Sequence, residues 1–215
     1  MRFRPSIPVT QITSLSGRDL LVGRRPICTG DEEALVPSEA VSYSNSVFTV
    51  RRQSGAARIV ARSLLHEWGQ PCEAINKAAG GAPTWPKGIV GSLAHDRETA
   101  VAAVSSTSRF LALGIDIEPA EPLPEDLIDI VTTDGERSRL GISPLYARCL
   151  FVLKEAVYKA SFPLNGLFLD FCDVEIDIQN GIGVVPRTGH QFNVKCEIGK
   201  DIVGIAYIEA RADGV

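Results

Sequence analysis

Apolar residues recur at helical spacing in two stretches of the chain, residues 46–68 and residues 144–162. Side chains three and four positions apart share one face of a helix, so each stretch predicts a long helix with one buried face. Gly69 and Pro71 are expected to end the first helix, and Pro144 suits the first turn of the second. The first buried face comprises Val50, Ala57, Val60, Ala61, Leu64 and Leu65. The second comprises Leu145, Cys149, Val152, Leu153, Ala156 and Ala160.

Shorter apolar runs predict strands between and after these helices. Residues 99–105 and 110–118 surround a polar break, which predicts a β-hairpin with well-buried strands. Residues 80–92 are dense in glycine and proline and predict a loop that enters a short strand. Three prolines in residues 119–124 predict a second loop. After Pro163 the sequence predicts strands separated by glycine turns, in residues 171–178, 181–185, 192–198 and 201–210.

The order of these elements predicts the fold class. A helix, a loop and a hairpin are followed by a second helix and more strands, so the chain divides into two halves of similar content. Each half combines one long helix with a few mostly antiparallel strands, which predicts an α+β fold. The two halves are expected to join near residues 105–118. Clefts between subdomains are common ligand sites, so this join is where we expect the function to lie.

The composition is that of an ordinary globular protein. The 215 residues can form one large domain or two small domains that share a core. Apolar residues make up 45% and charged residues 22% of the chain, which argues against disorder. No apolar run approaches the roughly 20 residues that a membrane-spanning helix needs, so we expect a soluble protein without a membrane span. The net charge of −4 argues against a nucleic-acid partner.

The cysteines give no sign of a structural framework. There are five of them, scattered and without a CxxC spacing, at positions 28, 72, 149, 172 and 196. An odd, dispersed set argues against a disulfide network and against a zinc site. It is typical of a reducing compartment, and we therefore predict a cytoplasmic location.

Charge is distributed unevenly along the chain. An acid-poor stretch contains the basic residues Arg51, Arg52, Arg58, Arg62 and Lys77. The middle of the chain is crowded with the acidic residues Asp116, Glu118, Glu121, Glu125 and Asp126. A basic region beside an acidic one suits a polyanionic ligand that is held partly by side chains and partly by a metal. The alternative is that these charges form a solvated helix face.

A Gly-Ile-Asp-Ile-Glu segment ends the second predicted hairpin strand, at residues 114–118. Residues two apart in a strand point to the same side, so Asp116 and Glu118 are expected to project together. Two adjacent carboxylates repel each other, and a divalent cation relieves that repulsion. Carboxylate oxygen is the ligand type that Mg²⁺ prefers. The alternative is a strand end that frays into solvent.

The second helix contains Lys154-Glu155-Ala-Val-Tyr-Lys159. Glu155 and Lys159 are four residues apart, so they can form a surface ion pair worth about 0.3–0.5 kcal/mol. The flanking sequence is largely apolar, which predicts a more buried helix. A buried Glu155 needs a partner, and a metal shared with Asp116 and Glu118 would be one.

A third segment, Gly91-Ser92-Leu-Ala94-His95, follows the loop rich in glycine and proline. A histidine after a Gly-Ser turn can donate a hydrogen bond to a phosphate, although a single histidine is more often structural. The sequence contains no GxSxG, HExxH or Walker motif, so those mechanisms find no support.

Taken together, three motifs resemble those of the 4′-phosphopantetheinyl transferases. They are GxPxWPxGxxGSxxH at residues 81–95, GIDIEP at 114–119 and FxxKEAxYKAxFPL at 151–164. Their order and spacing agree with that family, as does ARxxARxLL at 57–65. The resemblance is closest to the branch of the enterobactin-synthase activating component and its actinobacterial relatives, and it covers about residues 50–171.

The resemblance implies roles for individual residues. Asp116, Glu118 and Glu155 match the Mg²⁺ ligands, and Glu155, Lys159 and Asp116 are the expected catalytic residues. Glu155 would take the proton of the attacked serine, directly or through a water, while Lys159 would stabilise charge on the attacked phosphate. The residues expected to contact coenzyme A are Arg51 or Arg52, Arg58, Lys77, Ser92, His95, Lys154 and Lys159. Many relatives have Ser or Thr where this chain has Ala94, so one hydroxyl for phosphate is missing.

The resemblance also implies the fold and the reaction. The fold would be two similar α+β subdomains related by a pseudo-two-fold axis, residues 1–112 contacting coenzyme A and residues 113–215 carrying the metal and catalytic residues. The reaction would move 4′-phosphopantetheine from coenzyme A to a serine of an acyl- or peptidyl-carrier protein, with release of adenosine 3′,5′-bisphosphate. We expect a monomer that serves siderophore, nonribosomal peptide or polyketide biosynthesis. The alternatives are a Mg²⁺-dependent phosphohydrolase and a non-catalytic relative that binds coenzyme A or carriers.

Overall fold

A computed structural model of the chain describes residues 9–17, 19–72, 74–140 and 143–210. The helices are α1 (Pro37–Ala40), α2 (Phe48–Glu67), α3 (Glu125–Val131), α4 (Asp134–Leu140) and α5 (Pro144–Asn165). The strands are β1 (Thr10–Gln11), β2 (Leu20–Pro26), β3 (Ile89–His95), β4 (Thr99–Ser106), β5 (Phe110–Pro119), β6 (Glu175–Asp177), β7 (Ile182–Val185), β8 (His190–Ile198) and β9 (Asp201–Glu209). Within this described part of the chain, no helix combines the length and apolar character needed to cross a bilayer.

The first half of the chain packs α2 against a four-stranded antiparallel sheet in the order β1-β2-β4-β3. Val60 and Leu64 of α2 belong to one buried cluster with Ala102 and Val104 of the central strand β4. The predicted helix is therefore confirmed, as is its buried face. Val50 is the exception, because it lies in the first turn of α2 and lines a cavity instead of the core.

The second half packs α5 against a five-stranded antiparallel sheet in the order β5-β9-β8-β7-β6. Leu153 and Ala156 of α5 share a buried cluster with Phe192 and Val194 of β8. The strands predicted after Pro163 are present as β6 to β9. Leu145, expected on the buried face, is partly exposed in the first turn of α5.

The two halves share one topology. In the first, the sequence β2–α2–β3–β4 folds so that β2 lies beside β4, and β4 lies beside β3. In the second, β5, α5, β8 and β9 come in the same order along the chain, with β6 and β7 between α5 and β8. β5 lies beside β9, and β9 lies beside β8. The strand that comes last in each unit is thus central among the three. This repeated β-α-β-β arrangement confirms the predicted α+β fold with two similar subdomains.

The predicted hairpin of residues 99–105 and 110–118 is wrong, although both strands exist. β4 is already paired on both edges, with β2 on one side and β3 on the other, so it has no edge left for β5. β5 pairs with β9 instead. The two strands pack face to face in a shared core, where Leu113 and Ile115 of β5 join Val101 and Ala103 of β4. β5 therefore lies at the junction of the two halves.

The second helix is longer than the sequence predicts. α5 continues through Pro163 to Asn165, where Gly166 adopts a left-handed conformation with φ of 68°. The Gly166 N–H donates to the Phe162 carbonyl at 2.8 Å, which closes the last turn. A proline removes only one hydrogen bond from a helix, and the final turn tolerates this loss.

Candidate active site

β5 presents its two carboxylates to α5. Ile115 and Ile117 face the core between the two sheets, so the alternate residues Asp116 and Glu118 point the other way. Gly114 allows the close approach of the two elements, because a Cβ there would lie 1.9 Å from the Ala156 carbonyl oxygen of α5. The prediction that Asp116 and Glu118 project together at the join is confirmed. The alternative of a frayed strand end is wrong, because Asp116 is only 7% exposed.

Both strand carboxylates contact cations of α5. The Lys159 ammonium donates to Asp116 Oδ1 at 2.6 Å, and the Arg148 guanidinium donates to Glu118 Oε2 at 3.2 Å. Burial raises the pKa of Asp116, and Lys159 only partly opposes that effect. The pKa of Glu118 is also raised, first by burial and then by the charge of Asp116. The site therefore holds more negative charge than its surroundings readily stabilise.

Glu155 lies on the same side of α5 as this pair. Burial raises the pKa of its carboxyl group, the nearby charge of Asp116 raises it further, and Lys159 lowers it. Among the described residues, the Glu155 side chain has no hydrogen bond and no ion pair. A surface ion pair between Glu155 and Lys159 is therefore wrong, since Lys159 binds Asp116 instead. Glu155 is left as a desolvated carboxylate without a hydrogen-bond partner.

These acids do not form a ready-made metal site. In the ranges that the structure describes, no group of three or more His, Cys, Asp or Glu side chains has the spacing to hold a metal ion. Asp116 nevertheless raises the pKa of both Glu118 and Glu155, so the three carboxylates interact electrostatically through it. Lys159 and Arg148 supply the positive charge near them. Metal ligation by this set stays a prediction.

A cavity of about 320 Å³ lies next to the carboxylates and is bordered by basic side chains. Arg58 of α2, His95 of β3 and Lys159 of α5 line it, together with Lys77. The ring of Tyr43 lies under two of these cations, with the Arg58 guanidinium carbon at 5.2 Å and Lys77 Nζ at 5.5 Å from its centroid. The structure thus brings four of the predicted coenzyme A contacts to one cavity at the junction of the two halves.

His95 lies at the mouth of this cavity, at the end of β3. Its side chain is surface-exposed, yet neighbouring atoms remove enough water to lower the pKa of the imidazole, and the Lys159 charge lowers it further. A neutral imidazole keeps one N–H, so it can still donate a hydrogen bond to an anionic ligand. The predicted contact between His95 and a phosphate of coenzyme A is compatible with this position.

The two arginines left open by the sequence have different surroundings. Arg52 is engaged, because its Nε donates to Glu32 Oε2 at 3.0 Å and its guanidinium lies over the Phe48 ring. Arg51 Nε is buried without a hydrogen-bond partner in the described structure. An arginine with an unsatisfied donor is the better candidate for an anionic ligand, so the geometry favours Arg51 over Arg52.

Lys154 is placed differently from the other predicted contacts. Its side chain is buried, and its ammonium lies 2.8 Å from Glu136 Oε2 and donates to the Phe171 carbonyl at 2.9 Å. Lys154 and Lys159 are five residues apart, which places them about 140° apart around the helix, and Lys154 does not line the cavity that Lys159 lines. The contacts with Glu136 and Phe171 give Lys154 a structural role, and its contact with coenzyme A stays a prediction.

Ser92 lines a second, more apolar cavity of about 500 Å³. Trp85, Leu113 and Phe162 also line this cavity, and Lys77 and Lys159 border both cavities. Ser92 is buried, whereas Ala94 lines the basic cavity with a methyl group. The Gly-Ser turn expected from the sequence is wrong, because Gly91 and Ser92 lie within β3 and pair with β4. Ser92 lines the apolar cavity and not the basic one.

Two family models together match most of the chain. The 4′-phosphopantetheinyl transferase N-terminal domain matches residues 31–105, and the 4′-phosphopantetheinyl transferase superfamily matches residues 112–211. The 4′-phosphopantetheinyl transferase Npt of Nocardia iowensis is 43% identical over 67% of this chain and 68% of its own length. The chain belongs to the 4′-phosphopantetheinyl transferase superfamily. The predicted family and enzyme class are confirmed.

Other members of the superfamily place the chain in the predicted branch. The 4′-phosphopantetheinyl transferase PptT of Mycobacterium tuberculosis is 36% identical over 67% of this chain and 65% of its own length. Enterobactin synthase component D of Escherichia coli is 33% identical over 69% of this chain and 72% of its own length. The matched segment therefore spans about two thirds of each of these curated relatives.

Two residues of this phosphopantetheinyl transferase site were missed in the sequence. Arg148 contacts Glu118, and Tyr43 lies beneath Arg58 and Lys77. Arg148 is an isolated basic residue in the largely apolar first part of α5, where a solvent-facing position is the ordinary expectation. Tyr43 lies in a short 3₁₀ turn, Val41–Tyr43, that carries no periodic signal. Neither residue belongs to a motif, so only the folded geometry identifies them.

Proposed function

We propose that this chain transfers the 4′-phosphopantetheine arm of coenzyme A to a serine of a carrier protein and releases adenosine 3′,5′-bisphosphate. One observation carries the proposal. Three electrostatically coupled carboxylates, Asp116, Glu118 and Glu155, lie beside a cavity lined by cations, at the junction of two similar halves. Coenzyme A carries both a diphosphate and a 3′-phosphate, so it requires a site with this mixture of charges.

The cations would hold the phosphates of coenzyme A. Arg58, His95 and Lys77 belong to the first half and line the basic cavity. Arg51 lies on the same helix as Arg58, and its Nε donor has no hydrogen-bond partner in the described structure. The adjoining apolar cavity, lined by Trp85 and Phe162 among others, suits the mostly uncharged pantetheine arm. This arrangement supports the proposed division of labour, in which residues 1–112 contact coenzyme A and residues 113–215 carry the chemistry.

The three carboxylates fit a magnesium ion in their chemistry. All three donors are carboxylate oxygens, which is the ligand type that Mg²⁺ prefers. Burial raises the pKa of all three carboxyl groups, and the charge of Asp116 raises the pKa of Glu118 and Glu155 further, so a bound cation would relieve both effects. We therefore propose Asp116, Glu118 and Glu155 as the Mg²⁺ ligands. When bound, Mg²⁺ would neutralise charge on the diphosphate and on the departing adenosine bisphosphate.

The protein's own residues would activate the serine and stabilise the attacked phosphate. Glu155 lies near Asp116 and Lys159 at the site, so its carboxylate, or a water that it holds, would accept the proton of the serine hydroxyl. Lys159 lines both cavities and can exchange its contact with Asp116 for one with the phosphate that bears the arm. There its ammonium would stabilise the charge that develops during transfer.

The acceptor would be an acyl- or peptidyl-carrier protein. Siderophore, nonribosomal peptide and polyketide synthases use such carriers, and the similarity to an enterobactin synthase component supports the first class. We propose that the chain acts as a monomer in the cytoplasm. The repeated topology supports a monomer, because the two halves already supply both sides of the site.

The test is a transfer assay with coenzyme A, Mg²⁺ and a panel of apo-carrier proteins, followed by intact mass spectrometry. A carrier that gains the mass of one phosphopantetheine confirms transfer, whereas release of free phosphopantetheine would identify a hydrolase. Glu155→Gln is expected to lower kcat by about 10²- to 10⁴-fold, which is the usual contribution of a general base.

The matched control for this variant is Glu125→Gln, which changes an exposed glutamate in the first turn of α3. It is expected to keep wild-type turnover, so that a loss in Glu155→Gln alone reports on the site. Near-normal turnover of Glu155→Gln at saturating Mg²⁺ would show that the assigned base is wrong.

A further inference from the structure

In the part of the chain that the structure describes, each half contains one fully buried glutamate at the start of a short helix. Glu39 is the third residue of α1, and Glu136 is the third residue of α4. Their exposed fractions are 0% and 2%. Neither residue belongs to the motifs of the candidate active site. Buried carboxylates are rare and need several partners, so both sites call for a physical explanation.

Glu39 connects three separate parts of the first half. Its Oε2 accepts from the Val36 N–H at 3.0 Å, which fixes the start of α1. Its Oε1 accepts from the Ile75 N–H at 2.6 Å, and it also lies 3.4 Å from Arg58 Nε. Arg62 donates to both carboxylate oxygens, at 2.9 Å and 3.2 Å. One carboxylate thus joins α1, α2 and the segment that follows α2.

That segment carries residues of the basic cavity. After Ile75 the chain forms a tight turn, in which the Thr84 N–H donates to the Asn76 carbonyl at 2.8 Å and Lys77 bridges to Pro83. Lys77, Gly81 and Pro83 of this turn all line the cavity. The hydrogen bond from the Ile75 N–H to the Glu39 carboxylate fixes the start of this turn. Arg58 Nε also donates to the Ile75 carbonyl at 3.0 Å. The Glu39 carboxylate, in ion-pair contact with Arg58 and hydrogen-bonded to the Ile75 N–H, therefore helps to hold the Lys77 turn against Arg58 on α2.

Glu136 makes the corresponding contacts in the second half. Its Oε2 accepts from the Thr133 N–H at 2.8 Å, and its Oε1 accepts from the Ile176 N–H at 2.7 Å. Its cation is Lys154, at 2.8 Å. Lys154 and Arg58 each lie ten residues after the first residue of their helices, α5 and α2. The two glutamates are therefore equivalent under the repeated topology.

We propose that Glu39 is a positioning residue for coenzyme A binding, a role that its equivalent Glu136 does not share. The two glutamates differ in whether the residues they contact line the cavity. Glu39 holds Arg58 and the Lys77 turn, both of which line the cavity, whereas Glu136 holds Lys154 and β6, which do not. Glu39 touches no substrate, so it acts through Arg58 and Lys77. This inference rests on the proposed function, because it assumes that coenzyme A occupies the basic cavity.

The two equivalent glutamates provide a matched pair of variants, Glu39→Gln and Glu136→Gln. Each removes one buried negative charge with little change in volume and leaves a buried cation uncompensated, so both are expected to lower the melting temperature. Only Glu39→Gln is expected to weaken coenzyme A binding, with Kd higher by about tenfold or more, the usual effect of removing a residue that orients a direct ligand contact. Isothermal titration calorimetry with coenzyme A measures this difference.

Kinetics provide a second readout that a purely structural role would not move. Glu39→Gln is expected to raise KM for coenzyme A while kcat changes by less than about twofold, because the groups proposed to act on the serine lie in the other half. If Glu39→Gln does not fold, Glu39→Asp takes its place. Its shorter side chain keeps the charge but cannot span Val36, Ile75 and Arg58 together, so the same rise in Kd is expected.

Three results would overturn the proposal: equal Kd values for coenzyme A in Glu39→Gln and wild type, an equal rise of Kd in both glutamine variants, or a fall in kcat with KM unchanged. Failure of the proposed function is a separate outcome. A wild-type protein that binds coenzyme A but transfers nothing would refute the transfer reaction and leave the calorimetric comparison valid. A wild-type protein that does not bind coenzyme A would refute both.

Discussion

Asp116, a proposed metal ligand, is a buried carboxylate whose charged form the fold disfavours. Burial raises its pKa, which means that the folded protein disfavours the ionised form despite the Lys159 ammonium 2.6 Å away. A carboxylate whose ionised form the fold disfavours is consistent with binding a positively charged ligand. A purely structural role at this position could be filled by a neutral side chain. The sequence predicted this residue and its direction correctly, since alternation along a strand is a strong geometric rule.

This reasoning predicts that Asp116→Asn does not destabilise the metal-free protein at neutral pH. An acid whose pKa is raised by folding contributes stability below its unfolded pKa, about 3.9 for aspartate, and loses it as the pH rises through the folded value. Asparagine cannot ionise, so the Asp116→Asn protein does not lose stability in this way as the pH rises. Thermal melts with a chelator present should therefore give the variant a Tm no lower than wild type at pH 7.

The difference in Tm between these two proteins should shrink as the pH falls below the unfolded pKa of about 3.9, where the wild-type carboxyl group becomes protonated in both states. Transfer activity of Asp116→Asn should be lost at every pH. A Tm well below that of wild type at pH 7 would mean that Asp116 stabilises the fold through Lys159, and the argument from burial would fail.

Other side chains could not be placed from the sequence. Lys154 and Lys159 lie in one motif, yet Lys154 is buried against Glu136 while Lys159 lines both cavities. A motif gives the angle between two residues on a helix but not which side faces the ligand. That choice depends on α4 and on the Phe171–Asp173 turn, which carry no strong pattern of their own.

Among the secondary-structure elements, β5 and α5 decide the geometry of the site. The sequence predicted both, along with α2 and most of the strands, because their apolar periodicity is strong. It failed on the pairing of β4 and β5, since two neighbouring strands with a short link favour a hairpin unless other strands compete for the same edges. β2 is that competitor for β4, and it comes from a part of the chain that the sequence reading left unassigned.

The contact between β5 and α5 depends on Gly114. Gly114→Ala is expected to destabilise the protein by about 1–3 kcal/mol or more, because the new methyl group would lie 1.9 Å from the Ala156 carbonyl oxygen and 2.7 Å from the Ala160 amide nitrogen. It should also reduce transfer, since it pushes Asp116 away from α5. Chemical denaturation and the transfer assay measure the two effects.

Gly17→Ala is the control for this substitution, because a Cβ at Gly17 would meet no atom of the described residues within 4 Å beyond its chain neighbours. Its stability and activity should match those of wild type. A Gly114→Ala protein as stable and active as the Gly17→Ala protein would show that the close approach of β5 and α5 is not needed.

The molecule as a whole is two copies of one topology that have taken on different roles. In the first half the equivalent of Lys154 is Arg58, which lines the basic cavity, while in the second half Lys154 is enclosed by Glu136 and the Phe171 carbonyl. The cations proposed to bind phosphate thus come mainly from one half and the carboxylates from the other. The site requires both halves, and their junction brings the two sets together.

The central claim is that Asp116, Glu118 and Glu155 hold one metal ion against the diphosphate of coenzyme A. A crystal structure of the protein with coenzyme A and Mn²⁺, a Mg²⁺ substitute with a strong anomalous signal, tests this claim directly. We expect one anomalous peak within coordinating distance of these carboxylates and of the diphosphate, with Lys159 moved from Asp116 to a phosphate oxygen. A peak bound to other residues, or a diphosphate held by cations alone with Lys159 still on Asp116, would contradict it.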